Sequence, residues 1–175
     1  MIGTIESTIL LKSATKYLNQ AEKELGFVVD LDKAFEQKLQ ELDEHRREML
    51  YLDKGHQDII NIASLTLDIE ISRKRLDASK YKLSSYLSAS LSYLIELYAA
   101  SIGNTGSFFL PQVASKLRQI VLIVRYTKNT DVDYSCLMSL AIRCDSLYYC
   151  SSKENRNSVS GVINQQIKML INAIG

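Results

Sequence analysis

Between residues 76 and 98 the apolar side chains return every three or four positions: Leu76, Leu83, Leu87, Leu91, Leu94, Ile95, Leu97 and Tyr98. At about 100° per residue these positions share one broad face of a helix, flanked by Tyr86 and Tyr93. The apolar arc spans roughly half the circumference, wider than the stripe of an ordinary surface helix. Ser85, Ser88, Ala89, Ser92 and Ala100 fill the rest, around Lys82 and Glu96. Small side chains let another backbone come close, so neighbours are expected on more than one side. Serine is only a middling helix former, so packing must hold this segment helical. Buried tyrosines at 86 and 93 would need partners for their hydroxyls, or would line a ligand slot.

Just upstream the pattern has two readings. Leu65, Leu67, Ile69 and Ile71 alternate with Thr66, Asp68, Glu70 and Ser72, as in a half-buried strand. The same stretch also fits a heptad of Ile62, Leu65, Ile69, Ser72, Leu76, Ser79 and Leu83, which enters the next segment without a Gly or Pro. A lone strand needs a partner, and 119–126 is the only other strand-like run. One long central helix, about residues 57–101, is therefore expected.

Residues 32–52 predict a helix with a narrow seam: Leu31, Phe35, Leu39, Leu42, Met49 and Leu50, with Arg46 inside the stripe. The four-three-four-three spacing of Phe35, Leu39, Leu42, Arg46 and Met49 is coiled-coil spacing. The other positions are densely charged, and Asp43 and Arg47 stand at a supportive i,i+4 spacing. Gly55 suits the end of this helix. Antiparallel pairing with the first half of the long helix would form a hairpin over about 32–80, within a stretch of 30–80 that could project.

A first helix is expected from Thr4 to the residue before Gly26, burying Leu10, Leu11, Ala14, Tyr17, Leu18, Ala21 and Leu25. Ile5 and Ile9 fall off that face. Beyond the loop at 103–107, Pro111 suits a first helical turn. Val113, Leu117, Ile120, Val121 and Val124 give that helix its face; Leu137, Leu140, Ala141, Cys144 and Leu147 give the next. Asp133 is a candidate cap. After a polar run at 151–158, Val159, Ile163, Ile167, Leu170, Ile171 and Ile174 predict a last helix. The expectation is one all-α domain over residues 1–175, a bundle of about six helices.

Composition supports this picture. One Pro and seven Gly in 175 residues favour long helices over strands and turns. Apolar residues at 46% and charged ones at 23% describe an ordinary soluble globular chain. No apolar run approaches the ~18 residues of a membrane span, and the start carries no basic, cleavable leader pattern. Three cysteines, an odd number, argue against a disulfide framework, so a reducing, cytosolic setting is expected.

Candidate chemistry is sparse. Cys136, Cys144 and Cys150 lie eight and six residues apart, too far along a helix to share a metal. His45 and His56 form no metal or catalytic spacing with each other, and the Arg–His spacing of helical ribonucleases is not met. GNTGS at 103–107 has no lysine following it, as a phosphate loop requires. No cofactor or enzyme activity is expected. Charge is the one strong asymmetry behind a net +1. Nine acids and five bases fall in 30–58, against two acids and nine bases in 71–130. Arg73, Lys74, Arg75, Lys80 and Lys82 crowd around Tyr81. Such a cluster can neutralise phosphates or complement the acidic helix. The leading expectation is a non-enzymatic protein–protein interaction module (an adaptor, inhibitor, chaperone-like or assembly protein) acting by helix packing and forming a homo-oligomer. The alternative is a helical RNA or non-specific nucleic-acid-binding protein that uses this basic cluster.

Overall fold

The computed structural model describes residues 2–51, 56–103, 107–127 and 134–149, with side chains over 5–48, 59–101, 108–127 and 135–149. The regular elements among these are helical: α1 (Ile2–Tyr51), α2 (His56–Gly103), a 3₁₀ turn (Ser107–Phe109), α3 (Leu110–Tyr126) and α4 (Tyr134–Tyr149). They fall into two compact units, Lys23–Leu83 and Met1–Glu22 with Ser84–Gly175. None of the described helices is long and apolar enough to cross a membrane.

The helix count differs from the six expected. Four α-helices occur among the described residues, and the expected last helix at 159–174 lies outside them, as does the Asp133 cap. The other difference is at Gly26, where a break was expected and α1 runs straight through. A glycine inside a helix costs about 1 kcal/mol relative to alanine. Two residues on, Val28 is buried, and full burial of a valine contributes about 1.5–3 kcal/mol. Continuing the helix keeps Val28 on the inner face, so burial outweighs propensity. The single long central helix expected is instead one of two long helices, of 50 and 48 residues.

Residues 62–72 are helical, and their burial shows why the strand reading fails. Leu65 is half-buried and Ile69 buried, whereas Leu67 and Ile71 are exposed. A strand would have put all four on one side.

In the Lys23–Leu83 unit, α1 and α2 run antiparallel. Lys38 Nζ donates to Ser72 Oγ at 3.1 Å, and Lys80 Nζ stands 3.9 Å from Asp32 Oδ1. These two links fix a register that sets Val28 level with Leu83, Phe35 with Leu76 and Leu42 with Ile69. Val28, Leu42, Ile69, Leu76 and Leu83 are buried and Phe35 half-buried, as that register requires.

In the other unit the N-terminal part of α1 and the C-terminal part of α2 also touch. Ser90 Oγ donates to the Ala14 carbonyl at 3.0 Å, and Tyr17 stacks on Tyr93 with centroids 5.8 Å apart. Pro111 sits in the first turn of α3, where its missing N–H costs nothing. Thr127 closes α3, its N–H reaching the Ile123 and Val124 carbonyls at 3.2 Å. The residues expected to face inward from α3 and α4 are buried. Arg118 bonds Asp145 at 2.5 Å between those helices.

Replacing Gly26 by Ala should stabilise the protein by about 0.5–1 kcal/mol, because a Cβ there meets nothing within 4 Å. A thermal melt followed by circular dichroism checks this; a lowered midpoint would mean that residue 26 is not helical in solution.

Candidate functional site

The surface with most to offer a partner is in the Lys23–Leu83 unit, and its inner seam comes first. Leu31, Phe35 and Leu39 are half-buried and Leu42 is buried. The side chains of Met49 and Leu50 lie outside the described residues. Arg46, expected inside the seam, is exposed, and His45 takes the inner place. Val28, Leu31, Phe35, Lys38, Leu42 and His45 keep a three-four alternation, and Arg46 is one step out of it. So the seam expected as an interaction surface is largely spent inside this unit, against α2.

The basic cluster does not form one face. At about 100° per residue, Arg73 and Lys80 share one side of α2 while Arg75 and Lys82 share nearly the opposite side, with Lys74 between them. All five are exposed. Lys80 is turned to Asp32, so part of the basic charge answers the acidic helix inside the fold.

The charge reading also passed over an apolar feature. Ile60, Leu67 and Ile71 are 59%, 58% and 42% exposed. With Ser64, Lys74, Ala78 and Tyr81 they repeat at four-three-four-three spacing, on the side of α2 away from the buried heptad. α2 therefore has two seams, one filled by α1 and one facing solvent. Two of its residues, Leu67 and Ile71, were visible in the sequence as part of the alternation of Leu65, Leu67, Ile69 and Ile71 with polar residues, which suggested a strand. In a helix the same four residues divide between opposite faces.

Ser90 was also missed. It is fully buried, seven residues after Leu83 and seven before Leu97, at a heptad position of the inner face. Its hydroxyl bond to Ala14 brings α1 and α2 close where both residues are small. The expected tyrosine slot is closed on one side, since Tyr17 covers the face of Tyr93. Between α2, α3 and α4, the apolar space lined by Leu94, Tyr98, Val113, Leu117, Leu140 and Cys144 has no room for a water molecule.

Cys136 is half-buried and Cys144 buried. Burial pushes the Cys144 thiol up to about 12 from 9.0; the Asp145 carboxylate adds to this and Arg118 opposes it. A thiol held this way is neutral at physiological pH and is a packing group rather than a nucleophile. Its contribution to stability is complete below 9.0 and is lost as pH rises from there towards about 12, because the unfolded chain releases that proton first.

Two outcomes follow. Ser90→Leu should destabilise by about 1–3 kcal/mol through overpacking, and Ser90→Ala by about 1 kcal/mol through the lost hydrogen bond; urea denaturation orders the two. Native protein treated with a thiol reagent at pH 8 should label Cys144 only after unfolding, read by mass spectrometry of the peptides. Comparison of the chain with protein-family models, with curated proteins and with solved structures finds no match.

Proposed function

We propose that this chain is a non-enzymatic helical interaction module of a reducing, cytosolic setting, which self-associates through helix packing. The observation that carries the reading is the outer seam of α2. Ile60, Leu67 and Ile71 each keep about half or more of their surface in water although the same helix already buries a full seam elsewhere. Burying one such side chain contributes about 1.5–3 kcal/mol, so several in one line at coiled-coil spacing favour a helical partner. Exposed apolar residues scattered singly would carry no such meaning.

The nucleic-acid reading draws on a different observation. Tyr81 is 76% exposed and stands among exposed Lys74, Arg75 and Lys82. An exposed aromatic with cations near it in sequence is the pairing by which single strands are held without sequence preference. The split of Arg73 and Lys80 from Arg75 and Lys82 counts against it, since one strand reaches only one side.

Both readings meet in one experiment: light-scattering mass on a sizing column, with absorbance at 260 and 280 nm, at low and high salt. The expected result is a defined oligomer free of nucleic acid at either salt. A 260 nm signal that vanishes at high salt would favour the basic side of α2 instead. A monomer at every concentration and salt would overturn self-association.

A further inference from the structure

One flank of the outer seam of α2 changes sign at Ile71. Asp68 and Glu70 precede it, and Lys74, Arg75 and Asp77 follow it, all five exposed. On the helix, Asp68 and Arg75 border the seam on one flank, Glu70 and Asp77 on the other, and Lys74 stands within the seam. When two identical helices pack antiparallel, each flank meets its own counterpart read in the opposite direction. A two-fold axis near Ile71 therefore brings Asp68 against Arg75 of a second copy, and symmetry supplies the same pair again. Ile71 meets its own counterpart, Leu67 lies over the aliphatic stems of Lys74 and Arg75, and Ile60 reaches Tyr81. A parallel pairing at zero offset would set Lys74, within the seam, beside its own counterpart, like charge on like.

We propose that the outer seam of α2 is a self-complementary interface whose occupant is a second copy of this chain, bound antiparallel about a two-fold axis near Ile71. The proposal rests on the self-association reading and adds to it the surface, the direction and the pairing. Asp68 and Arg75 do more than solubilise the helix: their order along the chain lets each pair with the other across an antiparallel dimer of the same apolar residues.

The test uses the full chain and measures dimer dissociation by light scattering over a concentration series, with far-ultraviolet circular dichroism as a fold control. Ile71→Asp and Leu67→Glu should each weaken the dimer about tenfold or more without loss of helicity, since each change counts twice in a symmetric interface. Arg75→Glu should also weaken it, and adding Asp68→Arg to the same chain should restore it, which a merely structural role for either residue would not do. Both charged sites face solvent, so the swap remains readable where an apolar variant folds poorly. A wild-type dimer that Leu67→Glu, Ile71→Asp and Arg75→Glu all leave at full affinity would overturn this interface while leaving self-association intact. A wild-type monomer throughout would overturn both.

Discussion

Every seventh residue of the inner face of α2 is buried or half-buried: Ile62, Ile69, Leu76, Leu83, Ser90 and Leu97. That spacing is what α2 needs to stay against another helix over many turns, because a seven-residue repeat keeps returning to nearly the same side. In the Lys23–Leu83 unit it meets Val28, Phe35 and Leu42. In the other unit it meets the stretch of α1 around Ala14 and Leu18. Five of the six positions are aliphatic, and the exception is satisfied by the Ala14 carbonyl. A buried hydroxyl without that bond would cost about 1–3 kcal/mol, comparable to the gain from a neighbouring leucine. The serine therefore works only because α1 comes close enough to take its hydrogen bond.

Much of the fold was legible, and what was hidden had local causes. The inward faces of α3 and α4 read directly from their three-four spacing, since Val113, Leu117, Val121, Leu137, Leu140 and Cys144 each stand on a single stripe. The heptad from Ile62 to Leu83 correctly predicted a helix over a stretch that alternates like a strand. Gly26 misled because a glycine that ends a helix and one that a helix merely tolerates look alike in sequence. What separates them is the burial of Val28, a tertiary fact. Arg46 misled by one position: the four-three count started at Phe35 passes through Leu39, whereas Lys38 shares the inner side and carries the alternation on to His45.

The candidate site was less legible than the fold. The basic residues stood out as a cluster because they are close in sequence, but five cations within ten positions of a helix must point several ways. Of the apolar residues at 60, 67 and 71, the last two were grouped with Leu65 and Ile69 by the strand-like alternation; only the helical period parts them from that pair and joins them to Ile60. The acidic character of 30–58 and the basic character of the stretch after 71 suggested complementarity, and Asp32 with Lys80 is one place where it is realised.

The link from Lys38 to Ser72 has a consequence for how the hairpin is keyed. Val28, Phe35 and Leu42 on one helix, and Ile69, Leu76 and Leu83 on the other, repeat so evenly that sliding by one heptad would still match greasy layer to greasy layer. Hydrophobic burial alone barely tells these alignments apart. Slid one way, the Lys38 ammonium would trade the Ser72 hydroxyl for that of Ser79, but Asp32 would lose Lys80; slid the other, Lys38 would leave the Ser72 hydroxyl for Leu65. A polar side chain at a seam position sacrifices some adhesion to make misalignment costly. Lys38 and Asp32 together thus act as a notch in an otherwise featureless ratchet, giving two uniform helices one place to stop.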